Sequence, residues 1–147
     1  MISVAYYALV EPTTLERPVA ARANAGLSLA RLDVPWAGET GGPVSAVDRA
    51  GSVLPLAFDH GDILGMAVKR IRGKLDYAPI GFELLPPAFS LRDLRLVHEA
   101  ILGRSLNKDS FRRRILDRGL VVATGERAAG VGHRPPELYR FADRSAT

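Results

Sequence analysis

The chain has 147 residues, of which 47% are hydrophobic and 24% charged, a composition typical of globular proteins. The absence of cysteine excludes disulfides and thiolate metal sites. The charge is unevenly divided, because residues 1–65 carry four basic against seven acidic residues, whereas residues 66–147 carry sixteen against nine. The net +7 of the second part favours contact with a polyanion.

The N-terminal part of the chain predicts β-structure with little helix. Ile2 to Val10 form a continuous apolar run, closed by Glu11 and Pro12, which predicts a buried strand. Further strands are predicted within Leu27–Val34 and over Val44–Val47. Residues 48–51 (Asp-Arg-Ala-Gly) resemble a hairpin turn.

Three helix starts follow, each with a side chain that can accept hydrogen bonds from the free N–H groups of a first turn. These N-cap residues are Asp59, Ser90 and Asn107, and each is bracketed by an apolar pair typical of a hydrophobic staple. The pairs are Phe58 with Ile63, Phe89 with Leu94, and Leu106 with Phe111. The repeated pattern predicts three helices, over Asp59–Asp76, Ser90–Leu102 and Asn107–Arg118.

Only residues 103–106 separate the last two predicted helices, and this spacing predicts a helix-turn-helix. Gly103 and Gly119 suit the left-handed position that ends each of these helices. The apolar spacing of the final helix predicts that Phe111, Ile115 and Leu116 face the core.

The residues after the helix-turn-helix predict a wing. Two strands, Leu120–Thr124 and Glu137–Phe141, flank a glycine-rich stretch over residues 125–132 and the pair Pro135 and Pro136. Two strands around a flexible basic tip, directly after a helix-turn-helix, are typical of a winged helix.

The second helix of such a motif presents its outer face to the DNA major groove, where an arginine can contact guanine. Arg113 and Arg114 are predicted to face the groove, and charged side chains at the edges of this helix to hold phosphates. In the wing, basic residues flank small ones that allow close approach to the phosphates or the minor groove. The candidate DNA-binding residues are Lys108, Ser110, Arg112, Arg113, Arg114, Arg127, His133 and Arg134. The alternative interpretation is a solvated helix with internal pairs such as Asp109 with Arg113.

The sequence predicts no catalytic residue, metal site or cofactor site. The histidines, His60, His98 and His133, lack metal-ligand spacing, and His98 beside core positions is interpreted as structural. No apolar run approaches the length of a membrane span and no signal segment opens the chain, so a cytoplasmic location is expected.

A series of motifs over residues 58–141 resembles the Nudix-related transcriptional regulators. The motifs are Phe-Asp-His (58–60), Arg-Gly-Lys-Leu-Asp-Tyr (72–77), Leu-Leu-Pro (84–86), Phe-Ser-Leu-Arg-Asp-Leu (89–94), Glu-Ala-Ile-Leu-Gly-Arg (99–104), Asn-Lys-Asp-Ser-Phe-Arg-Arg (107–113), Thr-Gly-Glu (124–126) and Arg-Pro-Pro-Glu-Leu-Tyr-Arg-Phe (134–141). The resemblance implies an α+β protein. It places a partial Nudix-like β segment over residues 1–57 and a linker helix with a winged helix-turn-helix over residues 58–147.

The family resemblance also implies a function. Members of the family are repressors of NAD-related or sugar-related genes, released from DNA when ADP-ribose or a similar ligand occupies the Nudix domain. The resemblance therefore also implies a homodimer that binds double-stranded DNA at a palindromic operator.

Nudix hydrolases use a helix with Arg-Glu-x-x-Glu-Glu, whose carboxylates hold divalent metals. This sequence contains neither an Arg-Glu nor a Glu-Glu dipeptide. We expect the half of the Nudix fold with that helix to lie before Met1, and we expect no hydrolysis by this chain. Two alternatives stay open: a Nudix hydrolase acting on ADP-ribose-like nucleotides and completed by a missing portion, or a winged helix that serves protein interaction or dimerisation.

Overall fold

The structure, a computed structural model, describes residues 4–22, 25–80, 84–129 and 135–142. These residues form helices and two small antiparallel sheets, which confirms the predicted α+β class. The helices are α1 (Pro12–Ala21), α2 (His60–Lys74), α3 (Leu91–Leu102) and α4 (Lys108–Asp117). The strands are β1 (Arg31–Asp33), β2 (Ser45–Val47), β3 (Val53–Leu54), β4 (Phe89–Ser90), β5 (Val121–Arg127) and β6 (Glu137–Phe141).

The N-terminal sheet has the order β1-β2-β3 and contains the predicted hairpin turn. The N–H of Asp48 donates to the carbonyl oxygen of Ser52 at 2.9 Å. The carboxylate of Asp48 accepts from the N–H groups of Ala50 and Ser52, both at 2.8 Å. An aspartate that bonds to backbone groups just after it stabilises a turn without help from the rest of the chain.

The predicted strand at the N-terminus is wrong over the residues that the structure describes. Residues 4–10 have no regular structure, and Tyr6 is 93% exposed; Ile2 and Ser3 lie outside the described residues. A strand needs a neighbour that pairs with its backbone groups, and no described strand runs beside this segment. Only Arg31–Asp33 of the predicted Leu27–Val34 strand is paired, and its residues are exposed.

Helix α1 was not predicted. It begins at Pro12, and proline suits a first helical turn because the missing N–H would have no partner inside the helix. The apolar run before Pro12 and the second proline, Pro18, concealed this start in the sequence. The N-terminal part is therefore less β-structured than predicted.

Helix α2 begins after Asp59 as predicted, but not for the predicted reason. Among the described residues the Asp59 side chain makes no capping hydrogen bond. Phe58, the expected staple residue, is 100% exposed with a φ of 50°. This left-handed backbone turns the Phe58 ring into solvent, so the staple prediction is wrong here.

The helix-turn-helix forms where it was predicted, because both of its helices have strong local caps. Ser90 and Asp93 form a reciprocal capping box: the Asp93 N–H donates to the Ser90 hydroxyl at 3.2 Å, and the Ser90 N–H donates to the Asp93 carboxylate at 3.1 Å. Gly103 ends α3 with a φ of 67°. The Asn107 amide oxygen accepts from two N–H groups in the first turn of α4.

Helices α3 and α4 pack on a second sheet of order β4-β6-β5, which forms the wing. Strand β6 has the predicted bounds, β5 runs three residues further than predicted, and β4 was not predicted. The core between these elements comprises Phe89, Leu91, Leu94, Phe111, Ile115, Val121 and Tyr139. Leu116 is 36% exposed, so its predicted place in the core is wrong. At 100° per residue it lies beyond the face that Phe111 and Ile115 bury.

Candidate DNA-binding surface

Helix α4 presents a polar outer face opposite its buried side. Phe111 and Ile115 are each 2% exposed and fix this orientation. The candidate residues Lys108, Ser110, Arg112 and Arg113 are all exposed. An exposed arginine on the second helix of a helix-turn-helix is placed as direct contact with a base requires.

Arg114 is oriented differently from the prediction. It is half-buried, and its guanidinium lies over the Phe111 ring at 5.7 Å from the centroid. One of its terminal nitrogens lies 3.7 Å from the carboxylate of Asp76, just beyond α2. The predicted outward orientation is therefore wrong, because the guanidinium of Arg114 is directed at an acidic residue on this flank of α4.

A groove of about 480 Å³ separates the start of α3 and the start of α4 from strand β6. Its floor is apolar and its rim is mostly basic; the lining residues are Ser90, Leu91, Arg92, Arg95, Lys108, Phe111, Arg112, Pro136, Glu137 and Tyr139. Because Lys108 and Arg112 share it with two other segments of the chain, the groove is well placed for a phosphate strand alongside α4.

The sequence analysis missed Arg92, which is exposed in the first turn of α3 and lines the same groove. Arg92 lies near Lys108 only because α3 packs against α4. Its position on a predicted helix therefore did not identify it as a DNA-binding candidate. Arg95 lines the groove as well, but its guanidinium lies 2.6 Å from Glu99 and donates to the carbonyl oxygen of Leu106. Arg95 therefore fixes the turn between the helices.

The opposite wall of the groove is polar. The Tyr139 hydroxyl donates to the Glu137 carboxylate at 2.7 Å. Burial, and then this hydrogen bond, raise the pKa of Tyr139 above its ordinary value. The phenol therefore stays a neutral donor beside the basic rim.

The wing places Arg127 at its exposed end. Arg127 lies opposite Glu137 in the register of β5 with β6. Its guanidinium donates to the carbonyl oxygen of Pro135 at 3.0 Å. His133 and Arg134, the other two candidates in the wing, lie outside the described residues.

The part of the chain that the structure describes contains no group of three or more side chains arranged to hold a metal ion. Among the same residues, no helix is both long and apolar enough to cross a membrane.

A helix-turn-helix with arginines on its second helix, followed by a two-stranded wing, defines the winged-helix class of DNA-binding domains. Residues 81–141 match the family described as the NrtR DNA-binding winged helix domain. This part of the chain is similar to that domain, which supports a relationship to the Nudix-related transcriptional regulators.

The similar proteins are longer than this chain. A protein of Acinetobacter baylyi, named as an ADPR responsive transcriptional repressor NtrR, is 44% identical over 89 residues, which cover 60% of this chain and 35% of that protein. Shewanella oneidensis NrtR in complex with a 27mer DNA is 37% identical with a TM-score of 0.52. A second structure of Shewanella oneidensis NrtR is 39% identical with a TM-score of 0.51. In both comparisons the match covers 60% of this chain and 40% of the other.

Proposed function

We propose that this protein is a transcriptional repressor that binds double-stranded DNA through α4 and the wing. The observation that carries the proposal is the exposed Arg113 on the outer face of α4, beside a groove with a basic rim. Two similar proteins support it: one is named as a transcriptional repressor, and the structure of the other is a complex with DNA.

The candidate residues divide into two roles. Arg113 and Ser110 contact base edges in the major groove. Basic side chains hold the phosphates on either side and set the register on the DNA; these are Lys108, Arg112, Arg127, His133 and Arg134, together with Arg92. Arg114 is not included among the DNA contacts, because it is directed at Asp76.

The proposal extends to the effector and the assembly. The relative named as ADPR responsive supports ADP-ribose or a related nucleotide as the signal that releases the DNA. A homodimer on a palindromic operator places two α4 helices about 34 Å apart, one turn of DNA. Residues 1–57 then form the Nudix-like segment and residues 58–147 the DNA-binding domain, in a protein that acts on DNA in the cytoplasm.

Arg113→Ala tests the proposal. The measurement is fluorescence anisotropy with a duplex selected from a random DNA library by the wild-type protein. We expect a loss of about 1–3 kcal/mol in binding free energy, because a bidentate contact to guanine contributes that much.

The matched control is Arg49→Ala, an exposed arginine in the hairpin turn of the other sheet, which should leave the affinity within about twofold. Equal affinity for the wild type and Arg113→Ala would refute the role of α4. In the same assay, ADP-ribose should release the DNA from a protein with a complete Nudix domain; an unchanged signal there would refute the effector part of the proposal.

A further inference from the structure

Helix α2 is fixed along its first half against the loop that precedes β2. A Cβ atom on Gly65 would overlap the carbonyl oxygen of Gly42, so the two backbones are in direct contact there. The N–H of Val44 donates to the carbonyl oxygen of Gly61 at 3.1 Å. Two glycines thus allow α2 to lie against this loop with no side chain between them.

Arg72 continues this attachment to the C-terminal end of α3. It is 7% exposed, and its Nε donates to the carbonyl oxygen of Ile101 at 2.8 Å. Its Nη1 donates to the carbonyl oxygens of Trp36 and Gly38 at 3.0 and 3.2 Å, and its guanidinium lies 4.8 Å from the Trp36 ring centroid. A buried arginine requires such partners. The Arg72 side chain therefore joins the loop before β2 to α3, the first helix of the helix-turn-helix.

Asp76, four residues after Arg72, makes the corresponding attachment to α4. Its carboxylate lies 3.3 Å from the guanidinium of Arg118 and 3.7 Å from that of Arg114. Arg118 also donates to the backbone carbonyl oxygen of Asp76. The end of α2 is thus attached to the last turn of α4, at the end remote from Asn107.

We infer that α2 is a rigid connector that sets the angle of α4, with Arg72 and Asp76 as positioning residues that do not touch DNA. Helix α2 is attached along its length to the loop before β2 and, at its C-terminal end, to both helices of the helix-turn-helix, so α2 moves them together. A displacement of the loop therefore tilts α4. The predicted effect on DNA affinity rests on the proposed function, whereas the predicted effect on the angle between α2 and α4 does not.

The angle can be measured without DNA. The chain contains no cysteine, so Met66→Cys on α2 and Asp109→Cys on α4 provide two specific sites for spin labels. Both residues are exposed, and Asp109 lies at the end of α4 remote from Asp76. Pulsed electron paramagnetic resonance then gives the distribution of distances between the two helices.

In the labelled protein, Asp76→Asn should broaden or shift this distribution, and adding Arg118→Gln should enlarge the change by removing the bond to the Asp76 backbone. Asp76→Glu should restore the original distribution, and Asp62→Asn, an exposed carboxylate at the other end of α2, should leave it unchanged. In unlabelled protein, Asp76→Asn should weaken binding to the selected duplex at least threefold with an unchanged midpoint of thermal unfolding.

An unchanged distance distribution in Asp76→Asn with Arg118→Gln would overturn the inference. A wild-type protein that does not bind DNA would overturn the proposed function alone, because the distances are measured in its absence.

Discussion

His98 shows how burial changes the chemistry of a single residue. It is 4% exposed. Its ring packs against the Phe111 ring in a T-shaped arrangement, with the two ring centroids 5.1 Å apart. Burial first, and then the nearby charge of Arg114, lower the pKa of His98 to about 4, while the charge of Asp76 opposes the shift. Its place in the core agrees with the structural role expected from the sequence, but its buried Nδ1 has no hydrogen-bond partner among the described residues, so it is not the satisfied histidine that was expected.

The lowered pKa of His98 predicts loss of stability in acid. The pKa of His98 is about 4 in the folded protein and 6.5 in the unfolded chain. Its contribution to the free energy of unfolding is therefore fully present above pH 6.5, where the histidine is neutral in both states. This contribution, on the order of 3 kcal/mol, is lost as the pH falls from 6.5 towards 4. Urea unfolding at several pH values should show a shallower pH dependence for His98→Gln than for the wild type.

The control for this experiment is His60→Gln, since His60 is exposed. Its pH dependence should match that of the wild type. If His98→Gln and the wild type lost stability in parallel, burial of His98 would not be the cause.

At the scale of elements, the contact between α2 and the loop before β2 gives a clear test. Gly→Ala inside a helix ordinarily stabilises by about 0.5–1 kcal/mol. At Gly65 the added methyl group would overlap the Gly42 carbonyl oxygen, so Gly65→Ala should destabilise by more than about 3 kcal/mol. Thermal or urea unfolding measures the difference.

Gly73→Ala is the matched control on the same helix. There the new methyl group would meet only the end of the Glu39 side chain, 2.8 Å away, which can move aside. Gly73→Ala should therefore be neutral or stabilising. Equal effects of the two substitutions would contradict the close contact between α2 and the loop.

At the scale of the whole molecule, the uneven charge predicts how DNA binding depends on salt. Each phosphate held by a lysine or arginine contributes about −0.9 to the slope of log K against log salt concentration. Five such residues among the proposed phosphate contacts, Arg92, Lys108, Arg112, Arg127 and Arg134, predict a slope of about −4.5. Lys108→Ala should reduce the magnitude of the slope by about 1.

Anisotropy titrations between about 50 and 200 mM salt measure this slope. Lys69→Ala, at a lysine on α2 whose ammonium contacts the carbonyl oxygen of Thr40, is the control and should leave the slope unchanged. A flat salt dependence would rule out the phosphate-holding role of the groove.

The sequence by itself determined the helix-turn-helix and the second strand of the wing. The caps at Ser90 and Asn107 bond to backbone groups two or three residues away, and Gly103 adopts its left-handed conformation locally. Interactions of such short range can be recognised from residue order alone. The bounds of β6 and the exposure of Arg113 follow in the same way from regular spacing.

Only the tertiary structure decided where the long side chains point and which segments pair. Arg114 turns towards Asp76, and Arg72 bonds to the loop at Trp36 and to Ile101. Residues 4–10 have strong β propensity but lie beside no described strand. These outcomes depend on partners that are distant in sequence, and the spacing of neighbouring residues carries no information about them.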